Sequence, residues 1–289
     1  MNRRRTMNGK TITFLIFILL IPLSLFIMSC DVLTTQVDDV NPDDNPIDPD
    51  NPDFIPPTTT LISAPDEGEI ISVDNVTFKW RGNDPSCTFS YHLNNEIWSE
   101  WTQDTLVTYT YLDEGEYIFS VKSCYPTGVE EDPEKSVSFT IDAVKGPALR
   151  FYKKKVETPA GSNFQIEVWA EEVSELAIIS INIDFNTNYL QVQNLNIYND
   201  ETAFLRKNGG NIIEVHNFDN SNGNITVYLS RTDTDPLGVD GSGALFIISF
   251  TAKSRGTTNI TFDNGCYFRK ANNNPIEIIS KVSSLIEIS

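Results

Sequence analysis

Gly241-Ser242-Gly243-Ala244-Leu245-Phe246-Ile247-Ile248-Ser249-Phe250-Thr251-Ala252, followed by Gly256-Thr257-Thr258, is the stretch on which the fold turns. Phe246, Ile248 and Phe250 recur with period two. Successive side chains of a β-strand point to opposite faces, so this parity fills a core and leaves Leu245, Ile247 and Ser249 outside. Gly243 permits close backbone approach and Gly256 a tight turn. The same period recurs upstream. Ile225, Val227 and Leu229 alternate with Thr226, Tyr228, Ser230 and Thr232. Ile181, Ile183 and Phe185 alternate with Asn182 and Asp184, behind Ile178 and Ser180.

Candidate strands cover 149–155, 163–171, 176–185, 189–197, 211–218, 223–232, 243–253, 257–263, 266–270 and 276–288. Gly161, Gly209-Gly210, Asn222-Gly223, Gly238 and Asn272 to Pro275 punctuate them. Asn222-Gly223 predicts a type I′ hairpin. No segment longer than about ten residues carries helical spacing. About nine strands in about 140 residues suggest a jelly roll over 146–289.

Residues 58–145 read as a separate sandwich. Val76, Phe78 and Trp80 alternate with polar neighbours, as do Phe89, Tyr91 and Leu93, and Tyr117, Phe119 and Val121. Leu112-Asp113-Glu114-Gly115-Glu116-Tyr117-Ile118-Phe119 resembles the E–F corner and F strand of fibronectin type III-like domains. By that resemblance Leu112 plugs the core, Gly115 makes the turn, Tyr117 sits at the corner and Trp80 is the core tryptophan. Tyr91 to Trp101 looks like the C–C′ hairpin. Cys87 and Cys124 fall at one end of neighbouring strands, and export would permit a disulfide. Their parities disagree, however, since Cys87 shares the face of Phe89 and Cys124 that of Ile118 and Ser120. The disulfide is left open on these grounds, and Cys266 reads as a buried thiol.

The last domain resembles the cohesin family. Gly161-Ser162-Asn163-Phe164-Gln165-Ile166-Glu167-Val168 looks like its second strand. Ile181 to Leu190 looks like its Y-D-x-x-x-L segment, with Phe185 and Asn186 in place of the usual Tyr and Asp. Gly241 to Thr258 matches G-x-G-x-L-x-x-I-x-F-x-A-x-x-x-G-x-T. The resemblance implies an all-β chain, with a fibronectin III-like sandwich followed by a nine-stranded cohesin-like jelly roll. It also implies a sheet face that receives dockerin, a small calcium-loaded helical module of polysaccharide-degrading assemblies. On that implication the partner face comprises Ile178, Ser180, Asn182, Asp184, Thr226, Tyr228, Ser230, Thr232, Leu245 and Ile247. Cohesins share the jelly roll with cellulose-binding modules, so direct binding of polysaccharide is the first alternative. A structural envelope protein without a specific ligand is the second.

At the amino terminus, Arg3, Arg4, Arg5 and Lys10 precede an uncharged apolar run from Ile12 to Met28, the pattern of an export signal. The run is about 17 residues, at the low limit for a bilayer span. Ile27-Met28-Ser29-Cys30 resembles the lipobox of bacterial lipoproteins, which implies cleavage after residue 29 and a diacylglyceryl group on Cys30. Residues 31–57 hold no Lys or Arg and are rich in Asp and Pro, so they read as an extended tether over 30–57. The expected place of the chain is lipid-anchored and extracytoplasmic, at the outer membrane, the cell surface or a periplasmic face.

The formal net charge of −19 excludes nucleic acid, whose phosphates demand a basic face. His92 and His216 fall in different domains, with no Cys or Asp at zinc spacing. The pairs Glu130-Glu131 and Glu171-Glu172 are adjacent in sequence, so their side chains face apart, which is unsuited to paired acid–base work. Asp233, Asp235 and Asp240 share a loop, but Pro236 and the lack of a closing Glu spoil an EF-hand. The sequence therefore calls for no cofactor, no metal and no catalytic residue. Cys30→Ser is expected to leave an unprocessed precursor that takes up no labelled palmitate. Equal labelling of variant and parent would remove the lipoprotein reading.

Overall fold

The computed structural model describes residues 45–232 and 238–289. Residues 1–29, Cys30, the tether as far as 44, and Asp233 and Asp235 lie outside the described residues. The described part is all-β, apart from a short 3-10 segment at Phe204–Gly209.

The first domain holds β1 (Thr59–Ser63), β2 (Glu69–Ile71), β3 (Val76–Gly82), β4 (Thr88–Leu93), β5 (Leu106–Tyr109), β6 (Gly115–Cys124) and β7 (Lys135–Ile141). One sheet runs β1-β3-β5 and the other β2-β7-β6-β4. The expected parities fill the space between them: Phe78, Trp80, Phe89, Phe119 and Phe139 are all buried. Phe78 and Phe119 stack across the sandwich with ring centroids 3.9 Å apart. The corner forms as expected. Leu112 is buried, Gly115 takes φ 138°, and the Tyr117 hydroxyl donates to the Asp113 carbonyl at 3.0 Å.

One expectation changes here, and one open question is addressed. Residues 45–57, assigned to the tether, pack on the sandwich. Ile47 and Phe54, both half-buried, pack against its core, Asn51 is buried, and the Tyr125 hydroxyl donates to the Ile55 carbonyl at 3.0 Å. Asx turns at Asn45, Asp48 and Asn51 fold the Asp/Pro stretch, supplying locally the hydrogen bonds a free tether would take from water. Cys87 and Cys124 are both buried, and no disulfide joins them. The register pairs Cys124 with Thr88, one residue off Cys87, so the two side chains leave opposite faces and the parity argument against a bridge prevails.

The second domain holds β8 (Ala148–Tyr152), β9 (Lys155–Thr158), β10 (Asn163–Leu176), β11 (Ile178–Phe185), β12 (Leu190–Ile197), β13 (Asn211–Asp219), β14 (Asn224–Thr232) and β15 (Val239–Ala252). It continues with β16 (Gly256–Phe262), β17 (Tyr267–Arg269), β18 (Pro275–Ile276), β19 (Ser280–Val282) and β20 (Ser284–Ile288). Among the described residues one sheet runs β12-β15-β10-β8-β19. The other runs β13-β14-β11-β16-β20-β9, with β17 and β18 attached at β11. The first and last expected strands each split between the sheets: β8 and β19 pair in one, β9 and β20 in the other, both in parallel. Between the layers lie Phe246, Ile248 and Phe250 from β15, with Ile181, Ile183 and Phe185 from β11 and Ile225, Val227 and Leu229 from β14. Phe185 and Phe250 meet edge to face at 5.6 Å.

The β13–β14 hairpin closes through a longer turn than expected. Asp219 pairs with Asn224, so Asn220 to Gly223 form the loop instead of the two-residue Asn-Gly turn. The Asp219 carboxylate, which accepts from the backbone of Ser221 and Asn222, holds this wider loop and keeps its own pKa below the usual carboxylate range.

Lys154 pins the two domains together. Its side chain is 3% exposed, and its ammonium meets Glu114 at 2.9 Å and Asp74 at 3.6 Å, both from the first domain. Its backbone N–H donates to Asp113 at 2.8 Å, and burial pushes that carboxyl above its usual range. Breaking a buried ion pair from one side costs several kcal/mol, because the remaining charge stays desolvated. Lys154→Met should therefore lower unfolding free energy by about 3 kcal/mol in denaturant melts. In a Cys30→Ser protein, thiol titration under denaturing, non-reducing conditions should return the three thiols of Cys87, Cys124 and Cys266. A bridge between the first two would leave Cys266 alone.

Candidate partner-binding face

The outward side chains of β13, β14, β11 and β17 fall in register. Val215 lies opposite Tyr228, Tyr228 opposite Ser180, and Ser180 opposite Tyr267, so one row crosses four strands. A second row runs Ile213, Ser230, Ile178 and Arg269. Directly opposed residues in antiparallel strands present their side chains on one side, so the two rows form one patch. Val215 is 62% exposed, Ile213 60%, Tyr228 45% and Tyr267 38%. Ser180 is buried between the two tyrosines and forms the low floor of the patch. Four large apolar side chains thus cluster on one open sheet face, and contiguous patches of this kind, unlike scattered single residues, are typical of interaction surfaces.

Around this centre the rim is polar. Thr226 and Asn182 continue the strand pairs, and Asp184 is exposed beyond them. The Arg269 guanidinium sits 5.0 Å from the Tyr267 ring centroid and also donates to the Asn273 carbonyl at 3.0 Å. Lys270 pairs with Glu175 at the edge. Behind the patch, Asn182 is tied to β17's approach: its N–H donates to the Cys266 sulfur and its carbonyl accepts from the thiol, both at 3.3 Å. Burial raises the pKa of that thiol, so it stays protonated and can donate.

The ten expected face residues do not all come together. Ile178, Ser180, Asn182 and Asp184 on β11 adjoin Thr226, Tyr228 and Ser230 on β14, and Thr232 continues that strand. Leu245 and Ile247 lie on β15, in the opposite sheet. Leu245 is moreover buried, not exposed. The β10–β15 register explains it: Val168 pairs with Phe246 and Trp169 with Ala244, so Leu245 is the extra residue of a bulge. A bulge resets the alternation, which lets Leu245 and Phe246 both enter the core. Ile213, Val215 and Tyr267 were missed. The first two alternate legibly in Asn211 to Asp219, but their membership of the face requires the strand order. Tyr267 belongs to a three-residue strand too short to show a period.

Of the loop acids, only Asp240 falls within the described residues. It accepts from Ser174 at 3.0 Å and from the Glu175 N–H at 2.8 Å, which lowers its pKa. Among the described residues no three His, Cys, Asp or Glu side chains gather as a metal cage. His92 packs against Trp98 at 4.3 Å and His216 is exposed.

Residues 153–288 match the Cohesin domain family. Residues 82–142 match the Y_Y_Y domain family. The cohesin domain is thus the second sandwich, and the first is the Y_Y_Y β domain. Both families are non-catalytic. Similar solved structures include a non-cellulosomal cohesin from the archaeon Archaeoglobus fulgidus, at 19% identity over 49% of this chain and 90% of that one, TM-score 0.39. Another is the Coh-OlpA–Doc918 type I cohesin–dockerin complex from Clostridium thermocellum, at 15% identity over 49% and 99%, TM-score 0.39. A third is the sixth cohesin of scaffoldin B from Acetivibrio cellulolyticus, solved with the Cel5 dockerin, at 12% identity over 50% and 100%, TM-score 0.39. No curated protein matches the chain.

Thr226→Ala, on the polar rim, should leave domain stability within about 0.5 kcal/mol of the parent. Ser180→Leu, by contrast, should distort the floor between Tyr228 and Tyr267 and cost about 1–3 kcal/mol in a thermal or denaturant melt.

Proposed function

We propose that this chain is a non-catalytic, membrane-tethered binding protein whose cohesin domain receives a dockerin-type helical module in the service of polysaccharide breakdown. The observation that carries the reading is the in-register patch of Val215, Tyr228, Ser180 and Tyr267, flanked by Ile213. A low small-residue floor between two tyrosines suits the ridge of a helix, and aromatic residues at a patch centre are the usual energetic anchors of an interface. The match of residues 153–288 to the cohesin family supports the same partner class. In this reading Cys30 carries the lipid, residues 31–44 span the gap from the membrane, and the Y_Y_Y domain is a spacer. Lys154, buried between the domains, supports a spacer that fixes how the face is presented.

The test is a calorimetric titration of the chain with dockerin modules expressed from the same organism. Tyr228→Ala and Val215→Asp should each weaken binding by about 2 kcal/mol or more, with circular dichroism and melting unchanged. Ile247→Asp, on the opposite sheet, should bind as the parent does. Normal binding by both face variants would mean that the face is misassigned.

A further inference from the structure

The opposite sheet of the cohesin domain carries a different kind of site. Its outer surface holds an open cleft of about 350 Å³ beside Trp169. Small residues make the space: Ala244 stands directly opposite Trp169 on β15, and Gly243 and Ser242 precede it. The far wall is the segment at Phe204, whose ring lies so close to Gly243 that a Cβ there would sit 2.4 Å from it. That segment is held from below by Arg231, whose guanidinium donates to the Leu205 carbonyl at 2.6 Å.

The indole is fixed before any ligand arrives. Its Nε1 donates to Glu167 at 2.7 Å, and the Arg150 guanidinium lies 4.6 Å from its ring centroid. Arg150 is itself buried and paired with Glu171 at 2.5 Å. The other Glu167 oxygen accepts from the Tyr198 hydroxyl at 2.5 Å. Burial and the neighbouring Glu167 carboxylate push that phenol up to about 12, so it remains a donor at neutral pH. Around the rim stand Asp200, Thr202, Ser242 and Lys207.

We infer that this cleft binds a neutral sugar ring of a glycan chain, stacked on Trp169 and hydrogen-bonded at its edge by Glu167, Asp200, Thr202 and Ser242. A pyranose pairs an apolar C–H face with hydroxyls that both donate and accept, and the cleft offers a flat ring surrounded by both kinds of partner. Two carboxylates against one ammonium disfavour an anion. A cationic ligand would meet the protein's own positive charges at both rings, since Arg150 lies over one side of Trp169 and the Lys207 ammonium lies 4.7 Å from the Phe204 centroid. The volume is at the small end of ligand pockets, roughly 300–1,000 Å³, which suits one or two rings of a longer chain. This site is on the sheet away from Tyr228 and stands or falls apart from the partner face.

The test uses the full chain, titrated by calorimetry with cellotetraose, xylotetraose, mannotetraose and maltotetraose, and separately with tetramethylammonium chloride. Saturable binding of at least one tetrasaccharide is expected. Trp169→Ala and Ala244→Leu should each weaken it by roughly ten-fold or more, while Tyr228→Ala leaves it unchanged. Ala244→Leu fills the cleft from the solvent side and serves should Trp169→Ala not fold. No saturable binding of any of the four sugars at millimolar concentration would overturn the inference. So would sugar binding that survives Ala244→Leu, or binding of tetramethylammonium alone.

Discussion

The second domain depends on one layer of contact, where Phe246, Ile248 and Phe250 of one sheet close on Ile181, Ile183, Phe185, Ile225 and Val227 of the other. Each such side chain contributes about 1.5–3 kcal/mol when removed from water. The parity of every strand in the layer is thereby fixed, because a slip of one residue would exchange the whole buried set for the exposed one. The outer surfaces are consequently left out of this layer. Both candidate sites lie there, back to back across the core: the Tyr228 patch on one sheet and the Trp169 cleft on the other.

The bulge at Leu245 shows how a local irregularity shapes one of those two surfaces. Without it, Trp169 would face residue 245, and a leucine would occupy the space beside the indole. With it, Trp169 faces Ala244, and Leu245 turns inward to add to the core. One inserted residue thus both fills the interior and opens the cleft. Leu245 and its strand belong to the sheet opposite the partner face, whose apolar character comes from Ile213 and Val215 on the edge strand β13.

Lys154 does for the whole described chain what the aromatic layer does within a domain. A desolvated ammonium held by Glu114 and Asp74 has few alternative arrangements of comparable energy, so it specifies one geometry. Glu114 is occupied on its other oxygen by the Ala143 N–H at 2.8 Å, which fastens the linker itself. Residues 45–57 extend this order toward the amino-terminal end of the described chain, since their Asx turns and the Phe54–Tyr125 contact bring them onto the first sandwich.

The sequence by itself determined the all-β class, the division into two sandwiches, the corner at Leu112 to Tyr117 and the inward parity of β6, β11, β14 and most of β15. These are local or period-two properties, and burial of one strand face enforces them wherever the strand lies. Eight of the ten expected face residues shared their face because β11 and β14 keep unbroken alternation along their paired length. Only the tertiary structure decided that β15 belongs to the opposite sheet, that Val215 and Tyr267 complete the row through Tyr228, and that Trp169 overlooks Ala244. Each depends on strand order or on a bulge, and these are set by hydrogen bonds between segments distant in sequence. The folding of residues 45–57 was hidden for the same reason. Their composition describes the cost of ordering them, while Tyr125 and the sandwich surface, far along the chain, offset it.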